Sequence, residues 1–219
     1  MVEVVLLSAF LMANYKNFRF TEANLGLFET ENANLVLSKF SKGCRIMGLT
    51  RGNFSLIDLI HAVLKKTGPA EVVSVTWSAG IKDVHNVKWM VDSSLIKKFT
   101  LVTDHSYKTR QPKYAASIEE LFGTDNIRTS EIHAKFVLVS NEDFKVCIRT
   151  SMNLNANRTC ESFELDENKE IFDFYQEFVS FINDNQREGF VTSSAKVNKT
   201  LDLFFQSTQE QSISGWSDL

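Results

Sequence analysis

The sequence predicts an α/β fold in which helices flank a mixed β-sheet. Short strands rich in β-branched residues alternate with helical patterns from Ser55 to Phe122. Two further strands, joined by the short connection Asn141-Glu142-Asp143, then precede a long amphipathic helix. Alternating strands and helices followed by a hairpin and a helix are typical of an α/β protein with a mixed sheet.

The first fifty residues indicate their structure least clearly. The opening stretch, Met1–Tyr15, is apolar like a signal peptide, but Glu3 replaces the expected basic start and no convincing cleavage site follows. We interpret this stretch as a strand or a short helix of the fold. The segments ANLVLSKF (33–40) and CRIMGLT (44–50) alternate enough to predict two strands.

The central segment predicts its elements in order along the chain. A helix begins at Ser55, which forms a capping-box-like start with Asp58, and it ends at Gly68 and Pro69. The later elements are strands at 71–77, 97–106, 126–130, 132–140 and 144–151, and helices at 82–95, at 114–122 and from 171 to 182.

The layout predicts one main domain with two flanking regions. Residues 1–50 form an N-terminal region whose strands are expected to pack on the main domain, which spans 51–190. Residues 191–219 are expected to form a polar C-terminal tail, since the stretch from Gln206 onward contains no basic residue.

Composition narrows the classes of protein that this chain can represent. The content of 43% hydrophobic and 23% charged residues is that of a globular protein. No run of about 18 apolar residues occurs, so no membrane partner is expected. Three scattered cysteines predict neither a disulfide framework nor a thiolate metal site, and they favour a reduced, cytoplasmic setting.

The charge pattern allows a local surface for a polyanion. The net charge is −3, which is not that of a generally basic nucleic-acid binder. Between residues 97 and 113, however, the sequence contains five basic residues and only one acidic residue, Asp104. A phosphate track could be lined here by His105, Lys108, Arg110 and Lys113. A solvated loop with ordinary charges explains the same residues equally well. Trp77 and Trp89 could stack on bases, but core packing is the expectation for both.

Four polar residues are predicted to converge at one end of the hairpin. His133 and Lys135 share one face of a strand, because side chains alternate with period two, and Ser151 and Asn153 share a face of the next strand. A cation, a hydroxyl and an amide are suited to holding the oxygens of a phosphate, and a histidine can attack phosphorus or transfer a proton. The alternative for His133 and Lys135 alone is an ordinary polar strand end.

These residues resemble the signature of the phospholipase D superfamily. The pattern His133-x-Lys135, then Ser151-x-Asn153, then Glu161 matches its H-x-K, G-S-x-N and downstream carboxylate, and the resemblance covers residues 55–185. The wider sequence is similar to short phospholipase D-like proteins of phages and prophages. The chain departs from the pattern in having Ser140 for the usual aspartate and Thr150 for the usual glycine, while Asp143 fits a turn acid and Glu164 competes with Glu161.

The resemblance implies a reaction that needs neither metal nor another cofactor. His133 would attack phosphorus to form a phosphohistidine, and a second histidine would protonate the leaving oxygen before water hydrolyses the intermediate. Lys135, Ser151 and Asn153 would stabilise the transition state, and Glu161 would orient the second histidine. Because the chain has a single H-x-K motif, the resemblance implies a two-fold homodimer with one shared site.

We therefore expect a phosphodiesterase, and a nuclease acting on DNA or RNA in particular. Two hypotheses remain beside it. One is a catalytically inactive nucleic-acid-binding or structural protein on the same scaffold, which the Ser140 and Thr150 departures favour. The other is a lipid phosphodiesterase.

Overall fold

The computed structural model describes residues 21–29, 31–156 and 158–214, and for 194–196 and 208–214 it describes the backbone alone. The predicted strand or short helix at Met1–Tyr15 lies outside these residues. No helix among the described residues is both long enough and apolar enough to cross a membrane.

The described strands form one mixed sheet of eight strands in the order β1-β2-β8-β7-β6-β3-β4-β5. β6 and β8 run opposite to the others. The predicted α/β class, with a mixed sheet flanked by helices, is confirmed. The strands are β1 (Glu22–Phe28), β2 (Cys44–Thr50), β3 (Ala70–Thr76), β4 (Ile96–Asp104), β5 (Ile127–Ser130), β6 (Phe136–Ser140), β7 (Lys145–Thr150) and β8 (Glu161–Glu167).

The described helices lie on both faces of this sheet. They are α1 (Ala33–Val36), α2 (Leu56–Thr67), α3 (Ile81–Asp92), α4 (Tyr107–Arg110), α5 (Pro112–Phe122), α6 (Lys169–Asn185) and α7 (Ser194–Ser214). Short 3-10 turns follow α1 at Leu37–Lys39 and α5 at Thr124–Asn126.

The ends of α2 confirm the prediction made for them. The Asp58 carboxylate accepts the backbone N–H of Ser55 at 2.8 Å, and the Ser55 hydroxyl accepts the backbone N–H of Asp58 at 3.3 Å. Gly68 ends the helix with φ of +78°, a left-handed conformation that glycine adopts without strain. A capped start of this kind contributes on the order of 1 kcal/mol.

The two faces of β6 explain its continuous apolar run. Val137 and Val139 belong to the larger core, which includes the buried faces of α2 and α3. Phe136 and Leu138 belong to a second core built with α6. Because successive side chains point to opposite faces, a strand buried on both sides must be apolar throughout.

The hairpin between β6 and β7 closes at the predicted connection. The side-chain oxygen of Asn141 accepts the backbone N–H groups of Asp143 and Phe144 at 3.0 and 2.9 Å. The backbone N–H of Asn141 in turn donates to the carbonyl of Phe144 at 3.1 Å. Asp143 therefore lies in the turn, at the opposite end of β6 from Lys135.

Three segments differ from the sequence-based prediction. The predicted strand at 33–40 is wrong: Asn32 caps a helical turn there by accepting the backbone N–H of Asn34 at 3.0 Å. β1 was not predicted, and its outward side chains Leu25 and Leu27 are 82% and 79% exposed. β8 was not predicted either, because most of its residues are polar.

The predicted polar tail at 191–219 includes helix α7. Phe204 of this helix packs against Phe178 and Phe181 of α6, with ring centroids 5.3 Å apart in both pairs. Residues 215–219 lie outside the described residues.

The directions of the strands bring the ends of several strands together along one edge of the sheet. The carboxyl ends of β2, β3, β4 and β7 meet the amino ends of β6 and β8 there. We call this the polar edge. In open α/β sheets, ligands bind at such an edge.

Candidate active site

His133 and Lys135 lie at the polar edge, just before β6. They were predicted within a strand, but the paired strand begins at Phe136. The reason is that the backbone N–H of the preceding residue, Ile132, donates to the Asp104 carboxylate at 3.3 Å rather than to a strand. The Lys135 carbonyl still accepts the N–H of Thr150 at 3.1 Å, so the segment stays beside the end of β7.

Ser151 and Glu161 join the ends of β7 and β8. The Ser151 hydroxyl donates to the Glu161 carboxylate and accepts the backbone N–H of Ser162 at 2.9 Å. The backbone N–H of Ser151 also donates to the Ser162 carbonyl at 3.0 Å. Three hydrogen bonds thus hold the serine next to the carboxylate.

The structure separates the two candidate carboxylates. Glu161 is the first residue of β8 and also accepts the Thr159 hydroxyl at 3.1 Å. Glu164 points to the opposite face of the strand, where it pairs with Arg149 at 2.6 Å. Of the two, Glu161 is the residue in contact with the predicted site.

The Lys135 side chain is partly buried at the polar edge. Its ammonium group donates to the His133 carbonyl at 2.8 Å. Burial lowers the pKa of Lys135, and the nearby Glu161 carboxylate raises it in part. The lysine is therefore a positioned cation with a weakened hold on its proton.

Asn153 lies on the β3 side of this group. Its side-chain oxygen accepts the Thr76 hydroxyl at 3.3 Å, and Thr76 is the last residue of β3. This contact leaves the amide N–H groups of Asn153 as donors, with no partner for them among the described residues.

Sequence reasoning missed the role of Trp77. The residue follows β3 directly, and its ring centroid lies 5.8 Å from that of His133. The guanidinium carbon of Arg110 lies 3.8 Å from the same indole centroid. Trp77 is half-buried and contacts both residues. Trp89, also expected in the core, is 55% exposed, and its ring lies edge-on to His61.

Asp104 is a second residue that sequence reasoning left unassigned. It ends β4, is 7% exposed, and accepts the backbone N–H groups of Ile132 and Ser106 at 3.3 and 3.0 Å. The Ser106 hydroxyl donates to the same carboxylate. The signal available in the sequence was an acid at the end of an apolar strand pattern, and this acid positions the segment that carries His133.

The predicted phosphate track is only partly brought to this site. Arg110 reaches Trp77, whereas Lys108 pairs with Glu119 at 3.1 Å and Lys113 is exposed on α5. His105 turns its Nδ1 toward Asp104, at 3.7 Å from the carboxylate.

No protein-family model and no curated protein sequence matches the chain. Solved structures do resemble it. They include a phospholipase D family member, Nuc from Salmonella typhimurium, at 12% identity and a TM-score of 0.49, with 67% of this chain and 98% of that chain covered. NucT from Helicobacter pylori is similar at 14% identity and a TM-score of 0.49, with 67% of this chain and 99% of that chain covered. Phosphatidylserine synthase from Haemophilus influenzae is similar at 13% identity and a TM-score of 0.48, with 77% of this chain and 46% of that chain covered. These likenesses concern the path of the chain, and the chemistry below rests on the residues of this chain.

Proposed function

We propose that this chain is a phosphodiesterase that needs no metal, and specifically a nuclease that hydrolyses DNA or RNA through a phosphohistidine. The observation that carries the proposal is that His133, Lys135, Ser151 and Glu161 lie at one edge of the sheet, with Lys135 donating to the His133 carbonyl and Ser151 to the Glu161 carboxylate. A cation and a hydroxyl next to an imidazole match the demands of phosphoryl transfer, in which positioning and charge stabilisation dominate.

The proposed reaction has two steps. His133 attacks phosphorus while the bond to the leaving oxygen breaks, and a second histidine gives that oxygen its proton. The second histidine then takes a proton from water, which attacks the phosphohistidine and releases His133. Lys135 and Asn153 donate hydrogen bonds to the non-bridging oxygens during both steps, and Ser151 joins them when its hydroxyl hydrogen turns from the Glu161 carboxylate to the substrate.

We propose that the second histidine comes from a second copy of the chain. The other histidines are less suited to the role: His61 packs edge-on against Trp89 with ring centroids 5.5 Å apart, His85 is exposed on α3, and His105 faces Asp104. In a two-fold dimer, residues near the axis meet their own copies, so two His133 rings can share one site. Glu161 of one copy would then orient His133 of the other.

Loss of His133 is the direct test of catalysis. We expect His133→Asn to lower cleavage of plasmid DNA and of single-stranded oligonucleotides, assayed in EDTA, by at least about 10²- to 10⁴-fold. His85→Asn is the matched control, since it removes an exposed histidine from α3. Wild-type protein quenched in alkali should carry a nucleotide bound through phosphorus to His133, detected by mass spectrometry. Equal cleavage by His133→Asn and the wild type would refute the proposal.

Mixing tests the shared site. When wild-type protein is unfolded and refolded with a ninefold excess of His133→Asn, nearly all wild-type chains pair with the variant. Activity per wild-type chain should then fall by about tenfold, as random pairing in a two-fold dimer requires. Unchanged activity per wild-type chain would place both histidines in one chain, and His105 would be the residue to change next.

The alternative function is nucleic-acid binding without catalysis. Two observations favour it: Thr150 uses its hydroxyl within the turn, donating to the Ser162 carbonyl at 2.7 Å, and Ser140 lies at the far end of β6. Tight binding of an oligonucleotide without cleavage by any variant would support this alternative. Cleavage of phosphatidylcholine vesicles but not of nucleic acid would instead support a lipid phosphodiesterase.

A further inference from the structure

Arg110 is an arginine held in place by neutral groups. Its Nε donates to the Ser106 hydroxyl at 2.9 Å and its Nη2 to the Trp77 carbonyl at 3.0 Å. Its guanidinium carbon also lies 3.8 Å from the centroid of the Trp77 ring. The side chain is exposed, so its orientation is fixed while one side stays open to solvent.

Among the described residues, the other arginines that are held by hydrogen bonds each have a carboxylate partner. Arg45 and Arg149 both bind Asp166, at 2.5 and 2.6 Å. Arg128 lies 3.5 Å from Glu188. Arg110 has no carboxylate in ion-pair contact among the described residues, so its positive charge is not neutralised by its supports.

The same buried carboxylate supports Arg110 and the segment of His133. The Asp104 carboxylate accepts a hydrogen bond from the Ser106 hydroxyl, and this hydroxyl accepts a hydrogen bond from Nε of Arg110. The same carboxylate accepts the backbone N–H of Ile132 at 3.3 Å. Trp77 contacts both His133 and Arg110. The guanidinium and the imidazole are therefore fixed to one another through a common acid and a common ring.

We infer that Arg110 on Trp77 is a second anion subsite, which binds the phosphate next to the phosphodiester that His133 attacks. The Nη1 of Arg110 has no hydrogen-bond partner among the described residues, and its two N–H groups can donate to phosphate oxygens. The inference rests on the proposed function and narrows its substrate to a chain of phosphates. A zwitterionic phospholipid offers a cationic head group at this position, which Arg110 repels.

Substrates with one and with many phosphates test the subsite. The ratio of kcat/KM for a single-stranded oligonucleotide to that for bis(p-nitrophenyl) phosphate should fall by about tenfold in Arg110→Ala, the effect of one hydrogen bond to a charged group. Arg187→Ala should leave this ratio unchanged, because Arg187 is an exposed arginine in the loop after α6 and takes no part in the contacts that join Arg110 to Trp77. An equal loss on both substrates would overturn the inference.

Binding measurements separate this inference from the proposed catalysis. In the His133→Asn background, oligonucleotide affinity is measured by fluorescence anisotropy at several salt concentrations. Arg110→Ala should reduce the slope of log K against log [salt] by about 0.7, the value for one contact to a single strand. Ser106→Ala should weaken binding without changing the slope, since the charge remains. If the wild type cleaves neither substrate, the proposed function fails while this measurement still decides the subsite: an unchanged slope in Arg110→Ala overturns it.

Discussion

Two clusters of charged and polar side chains lie on or beside strands β7 and β8, and they differ in whether each cation is paired with a carboxylate. The closed cluster consists of Arg45, Arg149, Glu164 and Asp166. Asp166 is fully buried and accepts hydrogen bonds from both arginines, and Glu164 accepts a second bond from Arg149 at 2.6 Å. Burial alone would lower the pKa of Arg149, but the two carboxylates outweigh it and the pKa is raised.

The open cluster consists of His133, Lys135, Ser151 and Glu161. It lies where the strands end, and its only cation donates to a backbone carbonyl rather than being fully paired with an acid. Within the sheet, charges on adjacent strands neutralise each other. At the polar edge, the same types of residue keep hydrogen-bonding capacity for a ligand. Position along the strand, more than residue type, separates a structural cluster from a candidate site.

The largest expected effect is on stability, in the closed cluster. Asp166→Ala leaves Arg45 and Arg149 without their shared buried carboxylate. We expect the free energy of unfolding to fall by about 3–5 kcal/mol, as for other buried ion pairs that lose one partner. Urea denaturation measures this, and activity per folded molecule should stay within about twofold.

Glu164→Gln is the matched control for that change. Its side chain is 45% exposed, so water can replace the lost interaction, and we expect a loss of about 1 kcal/mol or less. If the two variants were equally stable, the closed cluster would not be a structural unit.

The next largest effect is on activity, in the open cluster. Glu161→Gln should lower kcat by about 10²-fold, because a neutral amide cannot stabilise an imidazolium as a carboxylate does. Thermal unfolding should change little, since the amide oxygen can keep one of the two hydroxyl hydrogen bonds and the amide N–H group can donate to the oxygen of the other hydroxyl. A large drop in Tm with normal activity per folded molecule would place Glu161 with the closed cluster instead.

The sequence predicted the open cluster better than the sheet that supports it. His133, Lys135, Ser151 and Glu161 follow a recognisable spacing, and the hairpin turn could be predicted from Asn141 onward. β8 could not be predicted, because its polar residues suit a central strand only when Arg45 and Arg149 lie on the neighbouring strands.

Long-range pairing also explains what the sequence left open at the phosphate track. Lys108 and Arg110 are two residues apart and equally basic, but Glu119 neutralises the first and Trp77 supports the second. Both partners are distant along the chain, 11 and 33 residues away, so the sequence gives no local signal that distinguishes the two cations.

The pH dependence of activity is expected to report on Lys135. Burial lowers its pKa and Glu161 raises it in part, so the required cation is lost at a lower pH than for an ordinary lysine. Activity should fall on the alkaline side, and Lys135→Arg should move that fall to higher pH, since arginine keeps its proton. Because the folded protein releases this proton first, its loss favours the folded state: the contribution of Lys135 to stability rises with pH between its folded and unfolded pKa values. An alkaline limb at the same pH in both proteins would assign the limb to another group.

The smallest expected effect comes from Thr159, which is exposed and donates to Glu161 at 3.1 Å. Thr159→Val keeps the shape of the side chain and removes one hydrogen bond to the carboxylate. We expect kcat/KM to fall by about threefold, within the range of about 0.5–1.5 kcal/mol for such a bond. Thr159→Ser keeps the hydroxyl and should retain wild-type activity. If Thr159→Val were instead as inactive as Glu161→Gln, the threonine would act on the substrate itself, and the open cluster would extend into the loop before β8.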